Sequence, residues 1–312
     1  MKNLKKNKVL QLMLNILRIP LFIPYFFIVR YVFKFKILSP EETVRYLYES
    51  KKSISRFGDG EFNIILRNKS IGFQSYSEEL SSNLISTLES NNEVKIALPH
   101  GLKNTKFDKL FIKSFWWAYV TTHYKDISGL IMKTKSDTFL DASFSRTITE
   151  LKDKSEINKI ISSTKKLWEN KHIIMIEGKE TRFGVGNDLF TKAQDVTRIL
   201  APTKSAFAKV DEIEITVKNL IERNIWLKGW NTSNIIVLLA LGPTASILAS
   251  RLSSVVQSID IGHFDLQYEY LLTGKYKPAK IATRFDNEHS GGDKVATIEN
   301  KDYFNSIYQD LS

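Results

Sequence analysis

Residues 37–312 are predicted to form an α/β fold, a mostly parallel sheet with helices on both faces, and three observations predict it. From residue 37 onward, short β-branched or apolar runs alternate with amphipathic, charge-bearing stretches, the pattern of strands buried between layers of helix. The 312 residues are 43% hydrophobic and 12% aromatic, enough for a sizeable core. Residues suited to chemistry follow the ends of the predicted strands: Asp59 and Glu61, His100, Ser145 and Arg146, Glu177, then 242–244, and Asp260 with His263. In a parallel sheet those ends share one edge, where ligands bind at a topological switch point.

The first 36 residues stand apart. Lys2, Lys5, Lys6, Lys8, Arg18, Arg30, Lys34 and Lys36 give them eight positive charges and no acid, while the rest of the chain holds 37 basic and 34 acidic residues. A nearly balanced globular part argues against a nucleic-acid partner, whose basic surface would spread over the folded domain. The longest purely apolar uncharged run is 19–29, short of the roughly 20 residues that cross a bilayer, and no small-residue cleavage site follows. Residues 1–36 therefore read as a helical arm. Either it lies in a membrane surface, lysines on anionic headgroups and aromatics at the acyl boundary, or it packs on the domain or mediates oligomerisation; a true span would carry Arg18 inside it at a cost. The chain has no cysteine, which excludes disulfides and thiolate chemistry and fits a cytoplasmic protein.

Seven strands are expected in order: 53–58, 93–99, 137–143, 172–178, 196–202, 234–242 and 255–262, with helices between them over 77–90, 211–229 and 244–254. A further short helix, "DLFTKAQDV", is expected at 188–196. The tryptophans, with the pair Trp116–Trp117, suit core packing better than a sugar-stacking platform.

Four segments carry candidate chemistry. "SRFGDGEF" places Asp59 and Glu61 two residues apart around Gly60, with Arg56 and Gly58 just before. Two hard oxygen ligands at a bend suit Mg or Mn, which takes few protein carboxylates and fills its shell with phosphate and water; the same pair could simply cap the next helix. "LALGPTASILASRL" runs strand, glycine turn, helix, so Gly242 and Thr244 would offer a helix N-terminus to a diphosphate, or form an ordinary turn. "IEGKETRFGVGNDLF" gathers Glu177, Arg182, Gly184, Gly186, Asn187 and Asp188 in a long loop. Arg182 could clamp phosphate and the glycines could admit a ligand, while Asn187 and Asp188 could instead cap a helix. "SIDIGHFDLQYEYLL" holds Asp260, His263, Asp265 and Glu269, a polar lip where Asp265 or Glu269 could be a general base.

In this order, "SRFGDGEF", "SFSRT", "EGKETRFGVGNDLF", "RILAPTKSAF", "ALGPTASILASRLS" and "DIGHFDLQYEYLL" resemble the GT-D fold glycosyltransferases, a bacterial group first described as domain of unknown function 1792 (DUF1792). The resemblance covers roughly 50–275. It implies a Rossmann-like sheet and a transferase that uses a nucleotide sugar, with Asp59 and Glu61 matching an Asp-x-Glu motif tied to a divalent metal (Mn or Mg) and the donor diphosphate. The expected reaction moves a sugar from a UDP-sugar to a hydroxyl of a surface polysaccharide or glycoprotein acceptor. Charge on the β-phosphate would be met by the metal, Arg182 and the 242–244 helix end, the acceptor proton by Asp265, Glu269 or Glu177, and water would be excluded by loop 178–188. A lipid-linked acceptor would explain an arm held at the inner face of the plasma membrane. Two other expectations stand beside it: a metal-dependent nucleotide-sugar or diphosphate hydrolase, and a non-catalytic membrane-bound partner of a glycan assembly complex.

Overall fold

The computed structural model describes residues 8–90, 94–286 and 291–312, with side chains from residue 11 onward. Lys2, Lys5 and Lys6 of the arm, and Glu93 at the start of one expected strand, lie outside the described residues.

The strands are β1 (Lys36–Ile37), β2 (Ser53–Arg56), β3 (Val94–Leu98), β4 (Thr138–Asp141), β5 (His172–Gly178), β6 (Asp195–Ala201), β7 (Ile235–Ala240), β8 (Gln257–Asp260) and β9 (Ile307–Asp310). They form one sheet in the order β1-β4-β3-β2-β8-β7-β5-β6-β9, with parallel pairing throughout the described residues. All seven expected strands are present; β1 and β9 are additions at the two edges. The helices are α1 (Lys8–Arg18), α2 (Phe22–Phe27), α3 (Pro40–Ser50), α4 (Asp59–Arg67), α5 (Glu78–Glu89), α6 (Leu110–Ile131), α7 (Thr147–Glu150), α8 (Lys154–Lys165), α9 (Val210–Lys228), α10 (Pro243–Leu252), α11 (Phe264–Leu272) and α12 (Lys301–Ser306).

Alternation along the central strands splits the core in two. Ile174 and Ile176 of β5, with Val237 and Leu239 of β7, face a cluster that takes in α5, α6, α9 and α10. Ile173, Met175, Ile236 and Leu238 point the other way, onto α3, α8 and α11. Period-2 side-chain direction in strands covered on both faces produces this arrangement. Trp116, Trp117 and Trp168 are buried in these cores, as packing demands.

The order also fixes where a ligand can sit. The connection from β5 runs outward to β6, whereas that from β7 runs the opposite way to β8. Connections leaving in opposite directions, turns from β5 and helix α10 from β7, open a crevice beyond the carboxyl ends of the two strands.

Two expectations are corrected. Residues 188–194 form successive turns rather than a helix, because the Asn187 side-chain oxygen accepts from Leu189 N at 3.0 Å and bends the chain directly back toward β6. The arm is also longer in helical terms than its purely apolar run implied. Gln11–Val32 is long and apolar enough to cross a membrane by length and composition. It is interrupted by a 3-10 turn at Ile19–Leu21 containing Pro20, as a missing amide donor requires.

One side of the arm packs on the domain. Tyr25 and Ile28 are buried, the Tyr25 hydroxyl donates to Gly101 O at 3.1 Å, and Ser114 Oγ donates to Asn15 Oδ1 at 2.8 Å. Lys103 Nζ donates to the carbonyls of Val29 and Phe33 at 2.9 and 2.7 Å. The other side leaves Leu12, Met13, Ile16, Leu17, Ile23, Phe26, Phe27 and Tyr31 exposed.

Candidate active site

A cavity opens at the crevice between β5 and β7. Its polar wall comprises Arg56 at the end of β2, His263 and Asp265 after β8, and Thr181 and Thr203 after β5 and β6. Phe73, Phe183 and Phe285 supply apolar wall, and Gly242 lines it from the turn between β7 and α10.

Arg56 is placed by its neighbours. Its Nε donates to Asp260 Oδ1 at 3.0 Å, and its Nη1 to Ser145 Oγ at 2.8 Å and Ala142 O at 3.2 Å. Asp260 is fully buried, and burial pushes its carboxyl above the ordinary range although the guanidinium and Ser246 draw it back. Gly262 makes room for the arginine: with φ at +50°, a Cβ there would meet Arg56 Nη2 at 1.9 Å. Only glycine accepts both that backbone and that contact.

Gly242 precedes α10 with φ at +57°, and the Phe73 ring packs where its Cβ would be, at 2.4 Å. Pro243 starts the helix without an amide to satisfy. Thr244 on the first turn is fully buried, and its Oγ1 has no hydrogen-bond partner. A buried hydroxyl without a partner calls for an explanation, and its place on the first turn of a helix is where anions are favoured.

Asp59 and Glu61 begin α4, directly after Arg56. Asp59 is exposed. Glu61 is partly buried, and its Oε2 accepts from Gly58 N at 2.7 Å, so it caps the helix as one of its two expected roles required. Burial raises the Glu61 carboxyl to about 7, with Asp260 adding to the shift. Among the described residues no group of three or more His, Asp or Glu could hold a metal. Neither carboxylate lines the cavity; one or two carboxylate oxygens are what Mg or Mn takes from protein when phosphate and water complete its shell, and Asp59 and the second Glu61 oxygen are the two this segment offers.

Other expected residues are brought together for a different task. Asp265 Oδ1 accepts from Gly184 N at 2.8 Å and Asn187 Nδ2 at 3.1 Å, and Asn187 Nδ2 also reaches Glu269 Oε1 at 2.7 Å. Arg284, buried, donates Nε to Asp265 Oδ2 at 2.6 Å and Nη2 to Glu269 Oε1 at 3.2 Å. These contacts bind loop 182–188 and the segment after α11 into one wall. Glu177 lies beneath it, fully buried, paired with Arg198 and accepting from Phe183 N at 2.5 Å. It does not line the cavity.

Arg182 turns away as well, its Nη1 donating to Ala296 O at 2.5 Å and Thr283 O at 3.4 Å, so Arg56 is the guanidinium on the cavity wall. Asp188 is exposed and pairs with Lys165 at 3.0 Å; Gly186 has open space around it at φ +78°. His263 Nδ1 lies 3.3 Å from Arg146 Nη1.

Sequence reasoning missed Arg284, Phe285 and Phe73. They sit in irregular loops without periodicity, so no local signal marked them. Arg146 was marked only by its place after a strand.

A family model for the GT-D glycosyltransferase fold matches residues 54–289. Glycosyltransferase GlyD of Streptococcus pneumoniae is 31% identical over 271 residues, covering 86% of this chain and 31% of that protein. A probable glycosyl transferase, Gly, of Streptococcus gordonii is 29% identical over 279 residues, covering 88% of this chain and 39% of that protein. The chain thus spans between three and four tenths of the length of these curated relatives. A solved structure described as the highly conserved domain of unknown function 1792, with a distinct glycosyltransferase fold, is 28% identical. It superposes with a TM-score of 0.81 over 92% of this chain and 100% of its own. A new glycosyltransferase of this type from Streptococcus sanguinis is 26% identical and superposes at 0.80, over 89% and 100% of the two chains. Sheet, cavity and likeness agree, and the chain belongs to the glycosyltransferase family of the GT-D fold.

Proposed function

We propose that this chain transfers a sugar from a nucleotide sugar, with UDP as the leaving group, to a hydroxyl of a glycan acceptor in bacterial surface polysaccharide or glycoprotein assembly. The observation that carries this reading is the convergence on one cavity, at the sheet's switch point, of the Arg56 guanidinium and Gly242 at the start of α10; the unpartnered Thr244 hydroxyl lies buried behind that wall. Anion-binding groups of two kinds meet there, beside apolar wall suited to a nucleobase.

The leaving diphosphate gains negative charge as the glycosidic bond breaks. Arg56, held rigidly by Asp260 and Ser145, and the amides of α10 would stabilise that charge without reorganising. Asp59 and Glu61 would hold a divalent cation, Mn or Mg, which when bound supplies further charge neutralisation at the diphosphate. Of the three carboxylates expected to take the acceptor proton, Asp265 is the one on the cavity wall; Glu269 and Glu177 hold structure around it. Loop 182–188, fastened by Arg284, and Phe73 over Gly242 would exclude water that would otherwise hydrolyse the donor. Residues 1–36 would keep the enzyme at the cytoplasmic face of the membrane, near a lipid-linked acceptor.

Calorimetric titration of the full chain with UDP and a panel of UDP-sugars, with and without Mn, tests the reading. Metal-dependent binding lost in an Asp59→Ala, Glu61→Ala double variant is expected. A folded wild type that binds no nucleotide would sink it. Donor turnover equally fast without acceptor would instead point to hydrolysis.

A further inference from the structure

Segment 103–113, which follows β3 and runs into the first turn of α6, carries features that neither core packing nor the cavity explains. Phe107, Leu110 and Phe111 are about half exposed, at 53, 50 and 45%. The chain has buried larger side chains elsewhere, so three exposed apolar residues within five positions form a patch rather than scatter. Beside them, the segment and α2 enclose an open groove of about 1120 Å³ with Phe26 and Trp117 in its walls and Arg30, Lys103, Lys106 and Lys113 around it.

These cations are not neutralised by acids. Arg30, Lys106 and Lys113 form no ion pair with a carboxylate among the described residues. Lys103 is used to fasten the arm. Burial and the neighbouring Lys152 press the Lys113 ammonium below its usual range against a smaller pull from Asp108, and its Nζ donates to the Lys106 carbonyl at 2.8 Å. The exposed side of the arm continues this surface, because Phe26 and Arg30 belong to both.

We propose that segment 103–113 is the domain's own half of a membrane-docking face whose occupant is an anionic phospholipid bilayer. Lys106, Lys113 and Arg30 take lipid phosphates in the groove, while Phe107, Leu110 and Phe111 enter the acyl boundary alongside Ile23, Phe26 and Phe27. Charge complementarity selects this occupant: a positive groove rimmed by aromatics matches the headgroup and upper acyl layers in turn. The face follows β3 on the same sheet edge as the cavity, so docking would hold the mouth of the site near the lipid. The inference rests on the arm's membrane reading but not on nucleotide-sugar chemistry.

Sedimentation of the full chain with vesicles of phosphatidylcholine, alone or mixed with phosphatidylglycerol, tests it. Variants are Lys106→Ala with Lys113→Ala, Phe107→Ser with Phe111→Ser, and Leu17→Asp with Phe27→Asp in the arm; circular dichroism checks the fold of each and UDP binding is measured in parallel. Wild type is expected to partition onto anionic vesicles, and the lysine pair to lose about thirty-fold at low salt, two cations' worth. The phenylalanine pair is expected to lose a comparable amount, with UDP binding unchanged.

Wild-type binding by both domain variants would overturn the proposal while leaving the arm as the membrane contact. Failure of wild type to bind any vesicle would overturn both, whatever its UDP affinity. Displacement by millimolar inorganic phosphate beyond that by chloride at equal ionic strength would identify a free-phosphate site and overturn it. So would a lipid-free dimer, detected by light scattering, that the phenylalanine pair dissolves while vesicle binding stays intact.

Discussion

At the scale of single residues, two placements decide what the site can do. Gly262 is the reason Arg56 reaches the cavity wall, since any Cβ would sit 1.9 Å from its Nη2. Gly262→Ala is therefore expected to displace the guanidinium and weaken UDP binding about tenfold, the worth of a charge-assisted hydrogen bond. It should also cost about 1–2 kcal/mol of stability from the left-handed backbone; titration calorimetry and urea unfolding read the two effects separately. His100 shows the opposite economy. Burial disfavours its charge, but Asp141 and Asp108, each 2.8 Å from a ring nitrogen, outweigh that and hold the imidazole well above its ordinary 6.5. A raised folded value means that stability from this charge is complete below about 6.5 and drains away as pH climbs through the folded value. His100→Asn is expected to cost about 3 kcal/mol at pH 5.5, with the gap to wild type narrowing toward alkaline pH in urea unfolding. Arg56 and Asp260 were legible because they end strands. The clamp on Asp265 was not, because Arg284 lies 19 residues away in a segment without periodicity.

At the scale of elements, the central strands and α5, α9 and α10 could be read from the sequence, since hydrophobic period and length agree for each. What escaped was short or held from a distance. β1 has two residues, β9 is a partly polar edge strand, and 188–194 resembles a helix until Asn187 turns it. The same distant holding gives loop 182–188 its shape: Gly184 N and Asn187 bind Asp265 and Glu269, and Arg284 neutralises both acids. Arg284→Ala would leave Asp265 buried beside a second carboxylate with no cation. A loss of about 3–5 kcal/mol is expected, with faster proteolysis within 182–188 than elsewhere. Arg284→Lys should recover only part of it, because one ammonium cannot reproduce the fork that spans two carboxylates and the Val185 carbonyl. Equal stability of Arg284→Ala and wild type in urea would show that the loop is held by its own turns.

At the scale of the whole molecule, the arm is where sequence reasoning left two alternatives open, and the structure gives it two faces instead of one. The inner face belongs to the core: Tyr25, Ile28, Phe33 and Phe35 join the cluster that packs on the sheet, and Lys103 is bonded to arm carbonyls. The outer face, from Leu12 to Tyr31, stays exposed. Composition alone could not separate these, since both faces draw on the same Leu, Ile, Phe and Tyr; only the docking against α6 assigns each residue to a side. A truncation then has a calculable consequence. Removing residues 1–36 strips four buried apolar side chains, each worth about 1.5–3 kcal/mol, and uncovers Trp117, which meets Phe22 edge-on at 5.2 Å. The truncated chain is expected to melt at least about 10 °C below the full one. Thermal unfolding of the truncated and full chains, in the same mild detergent, checks this. Equal melting of the 1–36 deletion and the full chain would make the arm a separable anchor. A lower one would mean that the arm cannot lift away into a bilayer as a free span without unfolding part of the domain it covers.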